Sequence, residues 1–388
     1  MKKSIEQSFS VPFTYAVHFT EGVFNKKNPL FAEVVLKQQV AKVFFVIDQK
    51  VATLHTDLLH HIQLYAQAHK NHFVLCAEPL IVPGGEEVKN TMQYVEQIID
   101  ASNAYGIDRH SYIVAIGGGA VLDMVGFAAA IAHRGIRHIR IPTTVLAQND
   151  SGIGIKNSVN AYKKKNFLGT FAPPFAVIND SAFLPTLDDR DWRSGISEAV
   201  KVALIKDASF FKWLEAHSDK LAQRDMPAME KLIYRCAEMH LEHISGGDPF
   251  EMGSSRPLDF GHWAAHKLEQ LTQYQIRHGE AVAIGICLDA TYSHLKGMIS
   301  AEALHRIISL FKNLGFPIHV PELSDEHILK GLEEFREHLG GQLTIMLLAE
   351  IGRGKEVHEM DKDLIISAAR KLKVFQEEPM NEAFKINN

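Results

Sequence analysis

The sequence predicts two domains: an α/β N-terminal domain on a parallel, Rossmann-like sheet, and a mostly α-helical C-terminal one. Three observations carry this reading. The chain has 388 residues, more than one hydrophobic core usually organises. Its first half alternates short β-rich apolar runs with longer helical stretches, the pattern of a parallel sheet covered by helices. After about Pro185 the helical patterns follow one another directly. The division is therefore placed at 185, giving domains 1–185 and 186–388.

In the first domain, strands are expected at "KVFFVID" (42–48), "NHFVLCA" (71–77), "SYIVAIG" (111–117) and "RHIRIP" (137–142), with helices over 51–70 and 88–106. In the second, helices are expected over 192–207, 229–244, the stretch "DFGHWAAHKLEQLTQYQIRHGEA" (259–281), 279–297 and 301–315. One late strand is expected at 343–348, and the tail after Pro379 reads as frayed. Residues 140–174 show no long helical or strand period, so they read as a long polar segment between elements. Loops of that length in a folded domain are usually functional.

Composition narrows the partners. Lys and Arg number 41 against 46 Asp and Glu, a net charge of −5, which gives no reason to expect nucleic acid or an anionic membrane. No run approaches the ~18 apolar residues of a membrane span. The opening "MKKSIEQSFSVPFTY" lacks the apolar core of a signal peptide. Cys76, Cys236 and Cys287 are far apart and read as reduced thiols of a cytoplasmic protein.

Chemistry-bearing residues fall in three places. "IVAIGGGAVLDMVGFAAA" places Gly117, Gly118 and Gly119 between a strand and a helix, where backbone N–H groups and the helix dipole can meet a phosphate. The spacing is not GxGxxG, so a plain tight turn accounts for it equally well. Asp48, closing its strand, can reach a ribose hydroxyl, and "PGGEEVK" adds Glu86 and Lys89; together these favour a nucleotide cofactor. The polar segment brings Thr143, Thr144, Asp150, Lys156, Lys165 and Asn166, with Arg134 just upstream, a set suited to a phosphate or polyol. Finally, His262 and His266 share a helix face, His278 opens the next helix, and Glu198 with Lys201 sits on an apolar face that would bury both. Trp263 stands where HExxH needs its glutamate, which excludes a zinc protease. Two imidazoles and a carboxylate fit either a divalent metal such as Zn or Co, or a neutral histidine network.

Seven stretches in one order, "GGGAVLDMVGF", "HRG", "IPTTVLAQNDSGIGIKNSVN", "KKNFLGTFAPP", "SEAVKVALIKD", "DFGHWAAHKLE" and "RHGEAVAIG", resemble the motifs of the sugar phosphate cyclases, the dehydroquinate synthase superfamily. The resemblance runs from about Asp48 to about Gly354. It implies a dimeric, two-domain cyclase acting on a sugar phosphate with NAD and a divalent metal, by transient oxidation, phosphate loss, re-reduction and an intramolecular aldol closure. It also implies roles: Glu198, His262 and His278 as metal ligands; Asp48, Glu86, Lys89, Gly118, Gly119, Asp123, Thr143 and Thr144 as NAD contacts. Arg134, Asp150, Lys156, Lys165, Asn166 and Lys201 match substrate contacts, and His266 matches the histidine near the phosphate.

The pattern departs from dehydroquinate synthase proper where that enzyme grips its substrate's carboxylate. No lysine or arginine lies between Arg235 and Arg256, Arg256 is displaced by one position, and Asp259 replaces an asparagine. An added carboxylate repels a carboxylated substrate. The expectation from this is a cyclase of sedoheptulose 7-phosphate that makes valiolone-type cyclitols. The alternatives are 3-dehydroquinate synthase itself, a metal-dependent polyol dehydrogenase of related fold, or a catalytically inert binder of sugar phosphates or nucleotides.

Overall fold

The computed structural model describes residues 4–36, 39–162, 164–246, 249–250, 257–324, 326–338 and 343–377. Arg256 and the tail beyond Pro379 lie outside these residues. The chain divides into two units. The first comprises 1–143 and 155–182; the second comprises 144–154 and 183–388.

In the first unit β1 (Ala16–Thr20), α1 (Leu30–Val35), β2 (Ala41–Asp48), α2 (Gln49–Leu54), α3 (Leu58–Ala68), β3 (Phe73–Leu75) and β4 (Leu80–Val82) are followed by α4 (Gln93–Ala104), β5 (Tyr112–Gly117), α5 (Gly119–Ile131) and β6 (Arg137–Pro142). A two-stranded antiparallel ribbon, β7 (Lys156–Ala161) and β8 (Lys164–Phe171), precedes β9 (Ala176–Asp180). The main sheet is parallel, in the order β1-β9-β6-β5-β2-β3, with β4 pairing the far end of β2. Strand β5 is buried throughout, as expected of a parallel sheet covered on both faces. Asp48 and Gly117 end adjacent strands at the carboxyl edge, where open α/β sheets bind ligands.

The ribbon corrects the reading of 140–174 as a long segment without strands. Strand β8 is almost wholly exposed, so its side chains carry no inside–outside alternation to announce it. Residues 144–154, placed by the sequence in the first domain, pack with the second unit: Asn149 Nδ2 donates to Gly195 O at 2.6 Å. The helix expected over 51–70 breaks into α2 and α3, and the run 88–106 opens as a 3₁₀ turn, Glu86–Asn90, before α4.

The second unit holds α6 (Asp189–Lys206), α7 (Ala208–Ala222), α8 (Met226–Ser245), α9 (His262–Leu271), α10 (His278–Leu295), α11 (Ala301–Asn313), α12 (Lys330–His338) and α13 (Lys362–Glu377), with an antiparallel pair β10 (Ile345–Glu350) and β11 (Arg353–Val357). The stretch 259–281 thus holds α9 and the start of α10, with His278 opening the second helix as expected. Helix α10 is buried from Gly279 to Ser293 and α6 from Ser194 to Ile205. Glycines let the backbones meet. A Cβ on Gly279 would lie 2.0 Å from Ser194 O, and one on Gly285 would lie 2.0 Å from Gly261 O. Gly261 itself holds a left-handed φ of 78°. These contacts fix the registers of α6, the start of α9 and α10. Gly285→Ala is expected to cost about 3 kcal/mol by overpacking, lowering the unfolding midpoint by roughly 6–12 °C in a thermal melt. No helix among the described residues is long and apolar enough to cross a membrane.

Candidate functional site

The three helices fixed by those glycines converge on one acidic side chain. Glu198 on α6 is wholly buried, and its Oε1 stands 3.6 Å from His262 Nε2 on α9 and 3.6 Å from His278 Nε2 on α10. Those distances are too long for hydrogen bonds, and neither carboxylate oxygen makes a hydrogen bond of ordinary geometry. The three donor atoms lie within 4.8 Å of one another. Ligands about 2.1 Å from a tetrahedral ion stand about 3.4 Å apart, so the gap matches one divalent cation. A buried carboxylate oxygen with no donor within hydrogen-bond distance is costly, and Glu198 Oε1 is such an atom, which is the physical reason to expect an ion there.

The surroundings prepare the donors. His262 Nδ1 faces Phe260 O at 3.2 Å, leaving Nε2 toward Glu198. Burial, with the Lys201 charge nearby, pushes its pKa well below the usual imidazole value, so the ring is neutral. His278 is held from the other side by Glu269, whose Oε2 lies 3.4 Å from Nδ1. Burial opposes charge on His278, but Glu198 and Glu269 outweigh it and raise its pKa to about 9, so a cation bound there would displace the Nε2 proton and take its place beside Glu198. A carboxylate behind a ligand imidazole fixes its orientation. For Glu198 itself burial also opposes charge, yet Lys201 and His278 bring its carboxyl down to about 2.

Lys201 is paired with Glu198 Oε2. Burial works to lower its pKa, but Glu198, Asp150 and Asp259 raise it, so it stays protonated. His266, exposed on α9, stacks its ring 6.1 Å from that of His278. With Glu269 and His278 it forms a second possible donor set, but there His278 Nδ1 is already turned to the Glu269 carboxylate. Asp150 meets His240 of α8, with Oδ1 and Nδ1 3.0 Å apart. Thr144 uses its hydroxyl to accept from Ala147 N at 3.1 Å, capping the turn that carries Asp150.

The first unit gathers a second set. A Cβ on Gly84 would fall 2.4 Å from Asp48 Oδ2, and one on Gly117 would fall 3.1 Å from Asp48 Cβ, so glycine at both positions makes room for this carboxylate. Buried Lys89 donates to Asp123 Oδ2 at 2.8 Å, to Ser158 Oγ at 3.2 Å and to Asn166 Oδ1. Asn160 donates to Glu86 Oε1 at 3.1 Å. Gly118 caps α5 in extended conformation, and Gly119 is its first residue. Thr143 is held through its backbone N, which donates to Gly117 O at 3.0 Å. Lys156 opens β7 with its side chain outward, and Lys165 is half-buried on β8. Arg134 is exposed, with φ 61°, and no hydrogen bond or ion pair among the described residues ties it to either set.

Sequence reasoning missed Ser158, His240, Glu269 and Asp289. Glu269 was within reach, because His262, His266 and Glu269 follow i, i+4, i+7 on one helix face. His240 had no local signal, since Asp150 lies 90 positions upstream in the chain.

Fold and site define the class: a parallel α/β unit joined to a helical unit that carries a buried carboxylate–imidazole centre able to hold a divalent metal. The chain belongs to the 3-dehydroquinate synthase family. The family's "3-dehydroquinate synthase N-terminal" signature matches residues 79–194, and its "3-dehydroquinate synthase C-terminal" signature matches 195–336. The 3-dehydroquinate synthase of Nitrosococcus oceani is 35% identical over 355 residues, covering 91% of this chain and 94% of that protein. Among solved structures, 2-epi-5-epi-valiolone synthase from Streptomyces hygroscopicus subsp. jinggangensis, with NAD+ and Zn2+ bound, superimposes with a TM-score of 0.86 at 30% identity, covering 95% of this chain and 99% of that one. A 2-deoxy-scyllo-inosose synthase complexed with carbaglucose-6-phosphate, NAD+ and Co2+ gives 0.77 at 26% identity, covering 92% and 96%.

These relatives overturn the expected sedoheptulose 7-phosphate cyclase. Curated relatives 34–38% identical over much of the chain are 3-dehydroquinate synthases. The expectation rested on missing positive charge near one substrate group. Asp259, one part of that expectation, lies near enough to Lys201 for its charge to act, with those of Glu198 and Asp150, to raise that residue's pKa against burial, so this carboxylate also faces a cation. Arg256 lies outside the described residues.

Proposed function

We propose that this protein is a 3-dehydroquinate synthase, converting a carboxylated seven-carbon sugar phosphate to a carbocycle with release of phosphate. The observation that carries the reading is the convergence of Glu198 Oε1, His262 Nε2 and His278 Nε2 within 4.8 Å in a chain of this family. In this reading those three residues hold a divalent metal, and Asp48, Glu86, Lys89, Gly117, Gly118, Gly119, Asp123, Thr143 and Thr144 surround NAD. Bound there, the nicotinamide would supply a reversible hydride acceptor and the metal a Lewis acid for a carbinol oxygen.

The chain's own residues do the rest. Lys201, protonated and desolvated, is placed to stabilise negative charge as it develops on the substrate. Glu269 keeps the His278 ring in one orientation. His266, exposed beside His278, can bind an anion or hold a proton on its ring. Asp150, Lys156, Lys165, Asn166 and Arg134 serve the polyol and phosphate. A cytoplasmic homodimer belongs to the same reading and is supported by family likeness alone; sedimentation gives the mass directly.

The test supplies NAD+, a divalent metal and the carboxylated seven-carbon phosphate, and follows phosphate and NADH absorbance together. Stoichiometric phosphate without net NADH supports the reading. Net NADH with a simple polyol, and no phosphate, overturns it in favour of a dehydrogenase. The cofactor assignment has its own check. Lys89→Met leaves Asp123, Ser158 and Asn166 without their shared donor, and should weaken NADH binding about tenfold or more, a loss of about 1.4 kcal/mol, in a fluorescence titration. An unchanged affinity removes Lys89 from the cofactor site.

A further inference from the structure

Asp150 lies on a π-helical turn, Ala147–Ser151, in the second unit. Such turns are rare and recur at functional sites. This one is bolted to α6 from behind. Wholly buried Asn149 donates to Gly195 O at 2.6 Å, and a Cβ on Gly195 would lie 2.4 Å from Leu146 N. Backbones that close cannot slide, so α6 decides where Asp150 stands. Its side chain then meets His240 on α8, Oδ1 to Nδ1 at 3.0 Å, with the two side chains 23% and 15% exposed. The other ring nitrogen is turned toward Gly154, where an added Cβ would lie 3.4 Å from Nε2. The contact is a close approach of carboxylate and ring nitrogen and not an aligned hydrogen bond, since His240 Nδ1 makes none of ordinary geometry.

We infer that His240 is a positioning residue for the proposed cyclisation, holding the Asp150 carboxylate in one direction at the substrate site. This rests on the reading of Asp150 as a substrate contact. The need for such a residue follows from the neighbours. Lys201 is the nearby cation of α6, and it is paired with Glu198 while the Asp150 charge also acts on it. Without a partner of its own, Asp150 would compete with Glu198 for Lys201 and pull that ammonium from its place. His240 relieves the competition from a different helix. Beside it on α8, Glu238, Met239, Leu241 and Glu242 are acidic or apolar, and His243 faces Lys206 Nζ at 3.3 Å instead.

The experiment is a double-mutant cycle on the full-length, metal- and NAD-loaded protein, with phosphate release as readout. His240→Ala should lower kcat roughly tenfold to a hundredfold, as a misplaced catalytic group does, with the affinity for NADH unchanged. In an Asp150→Asn background the same change should cost less than about twofold, because contacting residues are not additive. Independent, multiplying effects overturn the inference, as does a wild-type kcat in His240→Ala. His240→Gln, with far-UV circular dichroism, replaces the alanine variant if that one fails to fold. The ring 15N shifts of His240, compared between wild type and Asp150→Asn at one pH, test the pair without turnover: they should move, and identical shifts overturn the pairing. A wild-type protein that releases no phosphate, with the shifts still moving, rejects instead the proposed function.

Discussion

Glu198→Gln is expected to strip the protein of divalent metal and to lower phosphate release about a hundredfold to a thousandfold, the scale at which a single transition-state-stabilising group acts. The substitution keeps the shape and removes one charge. Glutamine offers a neutral carbonyl in place of an anion that stays ionised down to about pH 2 against its own burial, through Lys201 and His278. Without that anion, Lys201 and the two imidazoles leave a centre that repels cations. The fold should survive, because Asp150 and Asp259 still act on Lys201 and keep a buried ammonium from standing alone. Metal content per chain, measured after dialysis, should fall from near one to near zero, with the unfolding midpoint within about 5 °C of wild type, a change of roughly 1–2 kcal/mol. Full metal occupancy in the variant would place the ion elsewhere.

The same centre shows how far the sequence could be read. Helix spacing paired His262 with His266, and the apolar setting of Glu198 and Lys201 marked them as buried charges needing partners. The convergence itself depends on Gly261, Gly279 and Gly285, whose task is to let helices touch, and a glycine in a helical pattern looks the same whether or not a backbone lies against it. In the first unit, β2 and β5 were visible as dense apolar runs, while β8 was hidden because nearly all its side chains face outward. The cluster of Lys89, Asp123, Ser158 and Asn166 assembles from a 3₁₀ turn, a helix and two ribbon strands, so no local window contains it. The choice of substrate failed for a related reason. Counting basic residues along one segment cannot say which charges meet in space, and Asp259 acts on Lys201 of α6, a residue which that count did not include.

Asp289 carries the second large prediction. It is wholly buried on α10, where its Oδ2 accepts from Gly261 N at 3.0 Å and its Oδ1 from Trp263 Nε1 at 2.9 Å. One carboxylate thus grips the backbone on one side of His262 and the indole on the other, and so sets where α9 begins. Burial pushes its pKa up, and the two N–H donors restrain the rise only to about 7. The folded protein therefore holds a proton that the unfolded chain, with an ordinary carboxyl near 3.8, has released. An acid with a raised folded pKa is without penalty below pH 4, and destabilises progressively from pH 4 to 7. At 1.36 kcal/mol per unit the whole penalty is about 4 kcal/mol, of which about 2–3 kcal/mol develops between pH 5 and 8. Asp289→Asn cannot ionise, so the stability of wild type relative to this variant should fall by that amount as pH rises from 5 to 8 in urea unfolding. Other groups titrate alike in both proteins and cancel. Parallel curves would mean that the carboxylate ionises in the fold as easily as in water. A falling difference means that the anchoring of His262 is maintained against the protein's own stability, as expected where a helix start has to hold a ligand in register and not merely close a core.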